Sequence, residues 1–183
     1  MRARHPFPRI WLMTDPRFGD GLLTAIRCLP FGSGVIFRHY ELPGRERRAL
    51  FRKIRRICRQ RGHLIILAGN DRQAVRWNAD GFHQRSSGRS ALLHTAPVHD
   101  LRELATAKRH RADIVLISPL FTTNSHPQQR PLGKFRFNSL AALARPANVI
   151  ALGGVTYRNA SGLNPHVVYG WAAVDAFRTR RLD

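Results

Sequence analysis

The sequence predicts an α/β protein of the (β/α)8, or TIM-barrel, class, compact at 183 residues. Three observations predict it. Short apolar runs alternate with mostly helical connections along the whole chain, and that alternation implies a parallel sheet. The run Ile114-Val115-Leu116-Ile117 is apolar without alternation, which suits a strand covered on both faces. Polar residues or glycine follow most of the runs, the arrangement that puts a ligand site at the C-terminal ends of parallel strands. An open doubly wound sheet is the competing arrangement. It lacks the GxGxxG loop expected after the first strand.

The elements follow in order. Ile10–Met13 is the first strand, ended by Thr14, Asp15 and Pro16. A helical pattern over Gly19–Leu29 carries Leu22, Leu23, Ile26 and Leu29 and is closed by Pro30 and Gly32. Val35–Phe37 is the second strand and delivers Arg38, His39, Tyr40 and Glu41. The basic helix Arg45–Arg61 comes next, with Leu50, Phe51, Ile54, Ile57 and Cys58 on one face. Leu64–Ala68 is the third strand, delivering Asn70 and Asp71. A short helix opens at Asp71 with Ala74, Val75 and Trp77 turned inward. Ala79–His83 is a very short fourth strand, and Gln84–Ser90 is a loop. Ala91–Leu93 is the fifth strand, releasing His94 and Thr95; a helix from Asp100 follows with Leu101, Leu104 and Ala105. The sixth strand opens into a polar loop of Thr122, Thr123, Asn124, Ser125 and His126. A helix over Asn138–Ala144, with Asn138 as its cap, leads to the seventh strand, Val149–Leu152, and the pair Gly153–Gly154. Val167–Tyr169 is the eighth strand, followed by Gly170 and a final helix over Ala173–Phe177.

The formal net charge is +20, and it is densest in Arg45–Arg61. Such a face can hold a phosphate backbone by counterion release. The chain has no zinc-finger spacing, RNP-type aromatic strand or GxxG loop signature, so the charge is assigned first to the solvent side of an outer helix and nucleic acid is the secondary partner. No apolar run approaches the ~20 residues that span a bilayer. The N-terminus MRARHPFPRI is basic but is not followed by the apolar region of a secretory signal, so no membrane partner is expected and a cytoplasmic location is. Cys28 and Cys58 sit within helical patterns and suggest neither a disulfide scaffold nor a metal cluster. A homo-oligomer is compatible with the sequence.

A closed barrel brings the strand ends to one mouth: Arg38, Asn70, Asp71, His99, Thr122, Thr123, His126 and Gly153–Gly154. Asp71 is either a carboxylate for Mg²⁺, an ion that binds through one or two carboxylates plus substrate phosphates, or a helix cap. Gly153 and Gly154 either hold phosphate on backbone amides or make a tight turn. Arg38 suits a diphosphate as a charge-assisted donor, or is one more surface arginine. His83 reads as a hydrogen-bonded core histidine.

Taken together, NDR at Asn70, ADGFH at Ala79, ADIVLISPLFTTNSH at Ala112 and VIALGGVTYRN at Val149 resemble the thiamine phosphate synthase family and its thiazole tautomerase relatives. The resemblance runs from WLMTD at Trp11 to AVDAF at Phe177 and implies one barrel domain over 1–183. It implies the joining of hydroxymethylpyrimidine diphosphate to a thiazole phosphate, with Mg²⁺ on the leaving diphosphate. Arg38, Asn70 and Asp71 match the arginine, the diphosphate contact and the first Mg²⁺ ligand. Thr123 and Ser125 match hydroxyls of the thiazole and diphosphate loop, with His126 where the family has lysine. Gly153 and Gly154 match the thiazole phosphate loop. The chain departs from the pattern at Ile36, Tyr40, Pro97 and Asp175, and Gln84–Ser90 contains no acid for a second metal ligand. Two alternatives follow from those departures. One is a metal-independent tautomerase-like relative with His126 as its base; the other is a non-catalytic binder of phosphorylated ligands or RNA.

Overall fold

In a computed structural model of the chain, which describes residues 6–85, 90–123, 125 and 128–178, eight parallel strands close into a barrel. They are Ile10–Met13 (β1), Gly34–Phe37 (β2), Leu64–Ala68 (β3), Gly81–His83 (β4), Leu93–Val98 (β5), Ile114–Ile117 (β6), Asn148–Ala151 (β7) and Gly170–Ala173 (β8). Each strand pairs with its sequence neighbours, and β8 closes on β1 with Trp11 opposite Ala172. The helices are Leu22–Arg27 (α1), Gly44–Gln60 (α2), Asp71–Trp77 (α3), Leu101–Arg109 (α4), Gly133–Leu143 (α5) and Tyr157–Ala160 (α6). Every residue of β2 and β6 is buried, because helices cover one face and the barrel interior the other. Among the described residues no helix is long and apolar enough to cross a membrane. Cys28 and Cys58 are free thiols, and burial pushes the Cys58 thiol up to about 12.

α2 shows how the charged sequence still packs. Phe51, Ile54 and Ile57 are buried, each contributing about 1.5–3 kcal/mol. Like-charge repulsion on the outer face costs only about 0.2–0.5 kcal/mol per close pair, so burial wins. Arg45, Arg48, Arg52, Lys53, Arg56 and Arg59 are exposed. Arg47 differs from the solvent-facing arginines expected here: it is buried. Its Nε donates to the Arg38 carbonyl at 2.8 Å and its Nη2 to the Ala68 carbonyl at 2.7 Å. Those carbonyls stand at the ends of β2 and β3, so one side chain ties both to α2. Its guanidinium also lies over the rings of Phe37, Tyr40 and Trp77.

Several elements depart from the sequence expectation. β5 is Leu93–Val98 and not Ala91–Leu93, so His94 and Thr95 lie buried within the strand. The polar pair and Pro97 make this stretch read as strand end, yet cross-strand bonds satisfy it: the His94 amide donates to Asp113 Oδ2 at 2.9 Å. β8 is Gly170–Ala173 and not Val167–Tyr169, and the expected final helix shrinks to a 3-10 turn at Asp175–Phe177. Two short apolar triplets flank Gly170, and pairing with β1 selects the second; a Cβ on Gly170 would collide with the Arg9 carbonyl oxygen. α5 begins at Gly133, so Asn138 lies inside the helix rather than capping it, while Phe137, Leu140 and Ala141 are its buried residues. The first helix is confined to α1 and preceded by a 3-10 turn over Pro16–Gly21. Val75 of α3 is exposed while Ala74 and Trp77 are buried, and in α4 Leu101 and Ala105 are exposed while Leu104 and Ala107 are buried, because the helices meet the barrel on narrower stripes than composition suggests. Of the loop expected over Gln84–Ser90, positions 86–89 lie outside the described residues.

Candidate active site

Parallel closure puts all eight strand C-termini on one rim, and a cavity of about 480 Å³ opens there. Arg38, His83, His99, Ser118, Thr122, Thr123, Ser125, Gly153, Gly154 and Asp175 are among its lining residues. The cavity therefore gathers residues from the ends of β2, β4, β5, β6, β7 and β8.

Arg38 is fixed rather than free. Its Nε donates to the Thr14 carbonyl at 2.9 Å and its Nη2 to Asp15 Oδ2 at 2.7 Å. Asp15 also accepts from Arg17 Nε at 2.8 Å. Burial opposes the Asp15 charge, but the hydrogen bonds and charge of Arg17, helped by Arg38, hold its carboxyl below the usual range. Arg17 reaches further, to Asp175 Oδ1 at 3.2 Å and Ser125 Oγ at 2.6 Å. It thereby links the turn after β1 to the loop after β6 and the turn after β8. Asp15, Arg17 and Asp175 were not expected to act as a unit. A signal existed: the chain has only 11 acids, so an aspartate directly after a first strand is informative.

Gly153 and Gly154 have φ of +89° and +65°. A Cβ on Gly153 would stand 2.6 Å from Pro119 Cα, and one on Gly154 would collide with the Thr122 carbonyl oxygen. The pair thus lets the loop after β7 lie against the loop after β6, a contact held by the Phe121 amide donating to the Gly153 carbonyl at 3.0 Å. Gly154→Ala is expected to cost about 1–3 kcal/mol from the left-handed backbone and the displaced loop. Thermal melts check it.

Thr123 and Ser125 come together, the Ser125 amide donating to Thr123 Oγ1 at 3.3 Å. Asn70 caps α3, accepting from the Gln73 amide at 2.8 Å, and lines a separate depression with Arg72, Gln73 and Arg76. Asp71 Oδ1 accepts from the Arg72 amide at 2.9 Å; the residue opens α3 outside the cavity lining. The structure therefore does not bring Asn70 and Asp71 into the pocket with Arg38. His99 bonds Glu103 Oε2 through Nδ1 at 2.7 Å, and Glu103 also pairs with Arg85. His126 and Asn124 lie outside the described residues. Among those described, no group of three His, Cys, Asp or Glu could hold a metal ion.

His83 is the core histidine that the sequence suggests, and it also lines the cavity. Its Nδ1 lies 2.9 Å from Thr95 Oγ1. Burial, with the nearby Arg38 charge adding to it, pushes the imidazole down to about 3, so the ring is neutral at ordinary pH.

A family model described as thiamine monophosphate synthase matches residues 22–177. The chain is 32% identical over 164 residues to the thiamine-phosphate synthase of Chlorobium luteolum, covering 82% of this chain and 76% of that one. It is 26% identical over 184 residues to the thiamine-phosphate synthase of Methanococcus maripaludis, strain S2, covering 92% and 86%. Among solved structures, a thiamine phosphate pyrophosphorylase from Pyrococcus furiosus is similar at a TM-score of 0.79 and 21% identity, covering 94% of this chain and 88% of that one, which speaks to the fold alone. The matched span runs from α1 to the turn after β8 and takes in every strand end at the cavity except that of β1, and so the chain belongs to the thiamine monophosphate synthase family.

Proposed function

We propose that this protein joins hydroxymethylpyrimidine diphosphate to a thiazole phosphate, giving thiamine phosphate and free diphosphate. One observation supports this reading: a single cavity is lined both by the fixed guanidinium of Arg38 and by the Gly153–Gly154 turn, two features to which anions could bind. A reaction uniting two phosphorylated substrates needs two such features. In the substitution, the bond from the pyrimidine methylene carbon to the diphosphate oxygen breaks and a bond from that carbon to the thiazole nitrogen forms. The protein's task is to place the nitrogen in line with the carbon and to stabilise the departing charge. Arg38 is pre-oriented by Thr14 and Asp15, so little ordering remains to be done when an anion arrives. Thr123 and Ser125 add hydroxyl donors on the opposite loop, and backbone amides of the glycine turn would hold the thiazole phosphate.

For Mg²⁺, Asp71 is the carboxylate that the family pattern assigns. One of its oxygens accepts from a backbone amide. It opens α3 outside the lining of the cavity that holds Arg38, and among the described residues it belongs to no group of three potential ligands, so this geometry does not fit an ion shared with a diphosphate at Arg38.

The test is an assay with both substrates and Mg²⁺ that measures thiamine phosphate and diphosphate together. Equal amounts of the two are expected. No product above background from folded protein would overturn the proposal, and isomerisation of a thiazole phosphate without the pyrimidine would replace it with the tautomerase reading. Arg38→Met is expected to lower kcat/KM roughly 10- to 100-fold, the effect of losing one charge-assisted contact.

A further inference from the structure

The outer face of α2 carries a ladder of arginines with nothing beside it to pair with. At about 100° per residue, Arg45, Arg48, Arg52, Arg56 and Arg59 fall within an arc of roughly 80°, opposite the buried Phe51, Ile54 and Ile57. Successive members are three or four positions apart in the chain. Neighbours therefore stand about 5–6 Å apart at Cβ, and the ladder is about 21 Å long. All five are exposed, and none of their side chains has a hydrogen bond or ion pair among the described residues. Glu46, the single acid of α2, falls outside the arc. Aspartates are committed elsewhere: Asp15 and Asp175 hold Arg38, Arg17 and Arg178 at the cavity mouth.

A straight row of unpaired guanidiniums complements a row of negative charges. Arginine suits phosphate in particular, because its planar fork donates two parallel bonds to phosphate oxygens. A lipid surface would also call for apolar side chains that enter it. None of the large apolar residues exposed on this protein belongs to α2, whose apolar face is turned to the barrel. We propose that the outer face of α2 binds the phosphodiester backbone of a nucleic acid without reading its sequence. No member of the ladder lines the cavity, so this surface goes beyond the synthase reading and does not rest on it. The contact is electrostatic, and each phosphate neutralised releases condensed counterions. Five contacts give a slope of log affinity against log salt of about −3.5 on a single strand and about −4.5 on a duplex.

Fluorescence anisotropy of the full chain with a labelled oligouridine strand, from about 50 to 200 mM salt, tests this. Affinity is expected to fall roughly 100-fold across that range. Arg48→Gln combined with Arg52→Gln is expected to reduce the slope to about −2, since two of the five contacts are gone. Arg102→Gln combined with Arg109→Gln removes the same charge from exposed positions of α4 and is expected to leave the slope unchanged. A labelled DNA duplex in the same series tells the two sources of backbone apart: tighter binding with a slope near about −4.5 assigns the surface to duplex, and weaker binding assigns it to single strands. A wild-type slope shallower than about −1 on both would overturn the proposal. So would an equal loss from the α4 pair, which would trace the binding to net charge and not to the ladder. Tighter binding to vesicles of anionic phospholipid than to either nucleic acid would overturn it in favour of a membrane surface.

Discussion

Taking this protein from pH 6.5 toward pH 4 is expected to cost about 1.4 kcal/mol of folding stability per pH unit through His83 alone. The native imidazole sits at about 3, against an ordinary value of 6.5. Between those values the unfolded chain binds a proton that the native protein does not. Stability therefore rises with pH across the window: the contribution is complete above the unfolded value and is lost as pH falls toward the native one. Burial also depresses His39 and His63, so both act with the same sign. Asp15 joins only at lower pH, because its carboxyl is held below 3.8. Domains of this kind have only about 5–15 kcal/mol in total, so a loss of about 3.5 kcal/mol by pH 4 through His83 is a large share of it. Denaturant midpoints at each pH unit check it. His83→Gln should flatten the slope, and a midpoint unchanged between pH 7 and pH 5 would contradict the account.

Arg47→Ala is expected to destabilise the protein by about 3 kcal/mol, through two lost charge-assisted bonds whose carbonyls are left short of a partner. That corresponds to a melting temperature lower by roughly 6–12 °C for a chain of this size. The cause is specific to this side chain. Arg47 spans the Arg38 and Ala68 carbonyls and lies against three aromatic rings. Arg48→Ala, on the exposed side of the same helix, is expected to change stability by less than about 0.5 kcal/mol. Lysine at position 47 keeps the charge without the planar fork that reaches two acceptors, so Arg47→Lys should recover only part of the loss. Full recovery would mean that charge, and not the two-carbonyl tie, holds the rim.

Much of the site was legible in the chain because its signals are local. The apolar run of β6 and the polar loop beyond it announce a strand and its C-terminal end. The Gly153–Gly154 pair announces a backbone that side chains would obstruct, and its φ values and close approach to Pro119 and Thr122 agree. Arg47 was hidden by its own chemistry: counting apolar residues skips it, although 47, 51, 54 and 58 form one helical stripe whose other members are Phe51, Ile54 and Cys58. Thr95 was hidden by register. A strand ending at Leu93 sends it into a loop, whereas the longer strand buries it beside His83.

Eight strands, their coverings, the glycine turn and the rim that carries the cavity were determined by the sequence alone, because periodicity and backbone permissiveness act over a few residues. Only the tertiary structure decided that Asp15 pins Arg38, that Arg17 joins three loops, that Asn70 and Asp71 stand outside the pocket, and that His83 pairs with Thr95 beside it. The reason is distance along the chain. Those arrangements depend on which residues, remote in sequence, the closing of the barrel brings within hydrogen-bond reach, and no local pattern encodes that.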